Sequence, residues 1–449
     1  MSDPIDDCLR GRISAPVAVA RMLLGGAGAA DIRARLATAR PGTDARAWQA
    51  LEDTLAGRDA GLDRLAAEIR ETGADHTSLS GSSPDPVAGV AAFFDRAASF
   101  SPEAGVALYS LGDPALLAQA TEEIAAWLHE RGLLRDGMDV LDLGCGIGRT
   151  LPVLAARAHT VLGLDVSARM VAEARERCTL PNVRVAQTDG HGLDTLAPDS
   201  LDLILAVDSF PYIVSAGPEV LRRHLDGAAR ALRPGGTLVV LNFSYRADHV
   251  ADAADAGSAR GLTVVEAGAT PFRLWDAAAW VLRRPVVEVV HLADRPDLAA
   301  VAARWTWDAY WRDGGYTLEA VHDRIRAGTA RSGMPQTFVA LVDGTPAATA
   351  SLSAEDMPER PELTPWLAGV YTDPAFRGRN LASLLVRRVE QAAREAGHQA
   401  LWLYTSKAEP LYSRLGWETV ERVARPGKPP VPVMRIALQP APGCSPRTG

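Results

Sequence analysis

The chain has 449 residues, 47% of them hydrophobic and 23% charged, a balance that suits two or three folded domains of ~150 residues and excludes disordered and fibrous classes. Its 47 Lys and Arg against 55 Asp and Glu leave a net charge of -8, which argues against a nucleic-acid partner held mainly through phosphates. The four cysteines (Cys8, Cys145, Cys178, Cys444) lack the paired spacing of a metal site or disulfide framework. No apolar run reaches the ~18 residues of a spanning helix, and the acidic start with Asp6 and Asp7 is unlike a targeting peptide. The expectation is a cytoplasmic protein with no metal, membrane or nucleic-acid partner.

Residues 1 to about 135 place apolar side chains at helical spacing: Val17, Ala20, Leu23, then Leu51, Leu55, Leu62, Leu65, Ile69, and later Leu117, Ile124, Leu128. Breakers fall at Gly25-Gly26, Pro41-Gly42 and Gly81-Ser82-Ser83-Pro84, with a loop near 76–86. From Asp139 short apolar strands alternate with helices: Val140–Leu143, Thr160–Asp165, Val183–Ala186, Leu201–Ala206 and Gly236–Leu241. That alternation predicts βαβ units and a mostly parallel sheet, closed by Arg283-Arg284-Pro285. A second α/β region opens at Val286, where Thr337–Val342, Asp343-Gly344 and Ala347–Leu352 read as a β-hairpin. The implied organisation is a helical cap over 1–100, a first α/β domain over 101–285, a second domain over 286–438, and a frayed tail from 439.

The run Asp142-Leu143-Gly144-Cys145-Gly146-Ile147-Gly148-Arg149 follows a strand and opens a helix, where glycines allow close backbone approach to a ligand. The next strand ends in Asp165, placed to accept from a ribose diol. Thr188-Asp189-Gly190, Val207-Asp208-Ser209-Phe210 and Leu232-Arg233-Pro234-Gly235-Gly236 end or precede the later strands. Together these motifs resemble the class I S-adenosylmethionine-dependent methyltransferases, whose Rossmann-like fold is then implied for about residues 100–285. The resemblance implies S-adenosyl-L-methionine as cofactor. It places Gly144, Gly146 and Gly148 at the amino-acid end, Asp165 at the ribose, Asp189 and Gly190 at the adenine, with Asp142, Val166, Val207 and Tyr109 also lining the site. Asp142 alternatively orients the loop through backbone hydrogen bonds, Cys145 reads as a buried filler, and His191 as a solvent-facing loop residue. Asp208, Tyr212, Tyr245 and His249 are base candidates by position only.

In the second region a strand, Trp366 to Tyr371, runs into Arg377-Gly378-Arg379-Asn380-Leu381-Ala382 and a long amphipathic helix. Successive N–H groups beside two arginines form an anion cradle suited to a pyrophosphate. Downstream lie Leu401–Thr405 and Ala408-Glu409-Pro410-Leu411-Tyr412-Ser413-Arg414-Leu415-Gly416-Trp417. The two segments resemble motifs A and B of the GNAT acetyltransferases, an α+β fold. Asn380 stands where the family has its central glycine, and Asn tolerates left-handed geometry. The resemblance implies acetyl-CoA, held by Val370, Tyr371, Arg377, Gly378, Arg379, Asn380, Leu381 and Ala382. Tyr412 would protonate the departing thiolate. The motif-A strand has no glutamate, which leaves Glu355 and Asp356 as charged candidates for a base. Trp305, Trp307, Tyr310 and Trp311 either wall an acceptor pocket or pack a core.

These motifs imply a bifunctional methyltransferase and N-acetyltransferase acting on a small-molecule acceptor. A second reading keeps the methyltransferase active and makes the GNAT domain a ligand-sensing or interaction module.

Overall fold

The computed structural model describes residues 3–39, 45–72, 85–242, 256–258, 260–275, 277–328, 331–425 and 428–438. The Pro41-Gly42 breaker, the predicted loop up to Pro84 and the tail from 439 lie outside them. The chain divides into two compact units between Pro285 and Val286. Each hydrophobic core cluster lies within one unit. Among the described residues no helix is long and apolar enough to cross a membrane.

The first unit opens with helices α1 (Pro4–Leu9), α2 (Ala15–Leu24), α3 (Ala29–Thr38), α4 (Ala45–Leu55), α5 (Asp59–Thr72), α6 (Pro86–Phe100), α7 (Pro102–Val106) and α8 (Pro114–Glu130). Five of them start alike. Asp3, Ser14, Asp85, Ser101 and Asp113 cap first-turn N–H groups, each followed by a proline in that turn. Such caps satisfy donors that helix geometry leaves open, and proline has no N–H to satisfy. Gly25 and Gly26, the latter at φ +86, end α2.

The sheet that follows runs β1 (Asp139–Leu143), β2 (Thr160–Asp165), β3 (Val183–Gln187), β4 (Leu201–Val207), β5 (Leu232–Asn242), β6 (Thr263–Ala269) and β7 (Ala278–Arg283). Its order is β3-β2-β1-β4-β5-β7-β6. The strands from β1 to β5 pair in parallel, and β7 is antiparallel to β5 and β6. Strands buried on both faces must be apolar throughout, which is why Leu203 to Val207 carry no alternation. Leu203, Leu205, Val239 and Leu241 face one core; Ile204, Ala206, Leu238 and Val240 face the other. The Leu232–Gly236 turn, read from sequence as preceding β5, lies inside it. Register passes from Leu201↔Leu232 to Leu203↔Thr237, so the extra residues bulge out of the ladder. The β6–β7 pair was not foreseen. Chain order reverses at β1, with β2 on one side and β4 on the other, and ligands of such sheets bind at this crevice.

The second unit has the strands β8 (Val287–His291), β9 (Gln336–Val342), β10 (Thr345–Ser353), β11 (Trp366–Thr372), β12 (Ala400–Tyr404), β13 (Glu418–Arg425) and β14 (Lys428–Ala437), in the order β13-β14-β12-β11-β10-β9-β8. The predicted hairpin is β9–β10, turning at Asp343 and Gly344. Phe338, Ala340 and Val342 pack on Leu385, Val386 and Val389 of the helix Leu381–Glu395. Val339 and Leu341 face the opposite way, onto the helices Ala299–Thr306 and Leu318–Ala327. Among the described residues of this unit only β11 and β12 pair in parallel, at the single register Trp366↔Trp402. Past that pair no ladder joins the two strands.

Candidate functional site

In the first unit the C-terminal ends of β1, β2 and β4 open into one cleft, roofed by α6 and α7. The glycine loop is tied down at its start: Gly144 N–H donates to Leu164 O at 2.7 Å and Cys145 N–H at 3.0 Å. Asp165 then fixes the loop's middle. Its carboxylate accepts from Gly146 N–H at 2.8 Å and from Ser167 N–H at 2.9 Å. Burial raises the Asp165 pKa, and those N–H bonds oppose the rise. Two glycines here admit no side chain. A Cβ on Gly144, at φ +77, would stand 2.3 Å from Ser209 Cβ, and one on Gly190, at φ +69, 2.5 Å from Val166 Cγ1.

Several residues take a role other than the motif implies. Gly148 does not line the cleft; a Cβ there would strike Leu151 and Ala174, so it permits helix packing instead. Asp189 is exposed, and its carboxylate accepts from His191 N–H at 3.1 Å, leaving Thr188 and Gly190 on the wall. Asp142 is engaged by the Thr150 hydroxyl rather than by backbone. With that bond opposing it, burial still pushes its carboxyl up to about 6. Tyr109, Val166 and Val207 line the cleft, Cys145 is buried with its thiol pKa raised, and His191 is half-exposed beside Asp85 at 3.7 Å. Asp208 and Tyr212 also line the cleft, whereas Tyr245 and His249 lie outside the described residues.

Arg149 ends the glycine run in sequence, yet the motif by itself assigns it no role. This guanidinium donates to Tyr109 Oη at 2.9 Å and stands 3.6 Å from Asp208. It lies 6.0 Å from the Tyr109 ring centroid and 5.8 Å from that of Trp275, two rings stacked at 5.4 Å. A buried cation needs such partners, because taking it from water costs several kcal/mol. His224 on the helix Pro218–Ala231 was also missed. Its Nδ1 donates to Val220 O at 2.8 Å, since a carbonyl can only accept, and that leaves Nε2 as the open nitrogen. Burial lowers its pKa and favours neutral imidazole. His224 has no spacing signal and only the fold brings it to Gly144 and Asp165, whereas Arg149 is next to the loop in sequence and owes its partners Tyr109, Asp208 and Trp275 to the fold.

In the second unit β11 carries a bulge. Its pairing with β10 shifts between Tyr371 and Ala368, with Gly369 at φ +60. Tyr310 Oη donates to the bulge carbonyl of Val370 at 2.6 Å, and Trp305 stacks on Tyr371 at 5.7 Å. Trp307 and Trp311 instead pack on the helix Leu318–Ala327, so the aromatic group splits between site and core. Beyond β11, Gly378 at φ +80 and Asn380 at φ +60 turn the chain into the helix whose first residues are Leu381 and Ala382. Asn380 thus adopts the left-handed geometry its side chain tolerates. Arg377 is exposed and donates to Thr372 O at 3.3 Å; Arg379 lies 5.5 Å from the Phe376 ring.

Tyr412, on the helix Glu409–Arg414, is 7% exposed and packs on Trp417 at 6.1 Å. Burial raises its pKa, so the phenol stays protonated at neutral pH. A buried carboxylate sets its place. Glu390 accepts from Trp417 Nε1 at 3.0 Å, from Arg387 at 2.9 Å and from Arg394 at 3.4 Å, tying the Tyr412 turn to the long helix. Glu355 is exposed, whereas burial pushes Asp356 up to about 6.

A methyltransferase domain model matches residues 140–236, and an acetyltransferase (GNAT) family model matches residues 300–417. Trans-aconitate 2-methyltransferase of Paracidovorax citrulli is 33% identical over 199 residues, which cover 43% of this chain and 68% of that one. Demethylmenaquinone methyltransferase of Tropheryma whipplei is 38% identical over 111 residues, 24% of this chain and 43% of the relative. Methyltransferase GfsG of Streptomyces halstedii is 34% identical over 134 residues, 29% of this chain and 46% of the relative. The chain thus spans less than half the length of the last two. With the 3-2-1-4-5-7-6 sheet around the glycine loop, and the bulged β11 leading to the Arg377–Ala382 turn, this chain belongs to the S-adenosylmethionine-dependent methyltransferases and carries a GNAT acetyltransferase domain after its methyltransferase domain.

Proposed function

We propose that the chain is a bifunctional enzyme, transferring a methyl group from S-adenosylmethionine in its first unit and an acetyl group from acetyl-CoA in its second, each to a small-molecule acceptor. The observation that supports it most is the convergence of Gly144, Gly146, Asp165 and Arg149 on one roofed cleft. A cradle that a Cβ would fill, next to a buried carboxylate and a buried guanidinium, suits a ligand with a diol and a zwitterionic end. Asp165 uses one lone pair on each oxygen for the loop and keeps the others for ribose hydroxyls. Arg149, steadied by Tyr109, holds the amino-acid carboxylate, and Val166, Thr188 and Gly190 flank the adenine. The sulfonium methyl supplies the electrophile; the cleft's apolar walls, Val87, Phe94, Tyr212 and Val220, exclude water and position the acceptor.

In the second unit the stretch of β11 and β12 beyond their single paired register receives the thioester arm. Backbone N–H groups around Gly378 to Ala382 hold the pyrophosphate, with Arg377 and Arg379 beside them. Tyr412 delivers its proton to the leaving sulfur. Titration of Asp165→Ala with S-adenosylmethionine tests the first site. Losing hydrogen bonds from an ionised carboxylate should cost about 1.5–3 kcal/mol, roughly 10- to 150-fold in affinity. Unchanged calorimetric affinity would remove Asp165 from it.

A further inference from the structure

The loop between β10 and β11 holds a carboxylate that the motifs of neither domain assign. Asp356 sits between two anchored neighbours. On one side Glu355 O accepts from Ser353 Oγ at 2.7 Å and from Arg324 at 3.3 Å. On the other, Met357 is 3% exposed and packs with Trp366 and Tyr404. The Asp356 carboxyl is therefore presented by a pinned turn rather than a loose one. Burial raises the pKa values of the Tyr310, Tyr404 and Tyr412 phenols and the charge of Asp356 adds to each rise, while Arg324 and Arg425 oppose the rise of Asp356 itself, so these five groups lie within its electrostatic reach. Tyr310 also donates to the β11 bulge at Val370, Trp305 stacks on Tyr371, and Arg425 lies 5.2 Å from the Tyr404 ring centroid. One carboxylate thus shares a patch of aromatic faces with the tyrosine assigned as proton donor.

We propose that Asp356 receives the ammonium group of the acetyl acceptor, and that Trp305, Tyr371 and Tyr404 wall a site for the flat apolar body that bears it. The inference rests on the acetyl-transfer reading above. Aromatic faces favour a cation in front of them, and a carboxylate fixes its position. Asp356 takes one proton from the ammonium, and the freed nitrogen lone pair forms the C–N bond at the thioester carbon. The C–S bond breaks, the sulfur takes the Tyr412 proton, and the second proton shed by nitrogen restores the phenol. One proton is released overall, from Asp356.

Equilibrium binding tests this without turnover. The full chain saturated with coenzyme A is titrated with 2-phenylethylamine and with tryptamine, and 3-phenylpropionate serves as the anionic control. The amines should bind and the anion should not. Asp356→Asn should weaken amine binding about tenfold to hundredfold while coenzyme A affinity, the check on folding, stays the same. Amine affinity should also fall below pH 6 as Asp356 takes up its proton, because phenols and guanidiniums do not titrate between pH 5 and 8. Equal amine binding by variant and wild type, or neither amine binding to a chain that holds coenzyme A, overturns the proposal. Failure to bind coenzyme A would instead remove the acetyl-transfer reading, and this inference with it.

Discussion

The two units treat their cationic groups in opposite ways. Arg149 in the first is enclosed, and the protein supplies its partners, Tyr109 and Asp208, with aromatic rings at its faces. Arg377 and Arg379 in the second stand at a surface turn, where water solvates them and little else is needed. The carboxyls Asp142 and Asp356 show the same logic at smaller scale, one sealed under a glycine loop and the other at the edge of an aromatic patch. An enclosed charge demands a fully specified surrounding, so the first site should tolerate substitution poorly. An open turn should tolerate more.

The sharpest contrast should come from Tyr412→Phe. The ring's packing on Trp417 survives and only the hydroxyl goes, so acetyl-CoA binding should persist while turnover falls by about 10²–10⁴-fold, the usual range for general acid catalysis. Stopped-flow thiol release alongside calorimetry separates the two effects; lost binding would mean that the hydroxyl is structural.

Gly144→Ala probes the enclosed site. Its methyl has no room beside Ser209 and φ is +77, so overpacking and backbone strain should lower the stability of the first unit by about 3 kcal/mol. Urea unfolding followed by circular dichroism reports this. A near-neutral result would show that Ser209 and the loop move apart freely.

Protonation offers a gentler comparison. Asp142 and Asp356 both have folded pKa values raised from 3.8 to about 6. Between pH 4 and 6 the folded state therefore keeps a proton that the unfolded state has lost. Stability falls as pH rises through that window, by at most ~1.4 kcal/mol per pH unit for each group, and the loss is complete above pH 6. Asp142→Asn should flatten the slope contributed by the first unit and leave that from Asp356; Asp356→Asn should do the reverse. A slope unaffected by either variant would assign it to other groups.

Asn380→Gly should do least. Asn380 already adopts the left-handed turn, so restoring the glycine typical of the motif should change acetyl-CoA affinity by less than about threefold, within the few tenths of a kcal/mol that separate Asn and Gly at such positions. A large gain would mean that the side chain obstructs the cradle.

Local chemistry made much of this protein legible in advance. Capping residues followed by proline mark helix starts because they answer unsatisfied N–H groups within one turn. Apolar strands ending in Gly144, Asp165 and Gly190 announce a parallel sheet and its ligand edge, and Asn380 was identifiable as a residue suited to φ above zero. All of these depend on a few consecutive residues. What only the tertiary structure decided depends on distant ones. It removed Gly148 and Asp189 from the cleft wall and gave Asp142 a hydroxyl partner. It gave Arg149 its partners, brought His224 to the cleft, and separated Trp305 and Tyr310 from Trp307 and Trp311. A side chain's burial and partners come from elements more than a hundred residues away, as Trp275 lies from Arg149, and no local periodicity encodes that meeting.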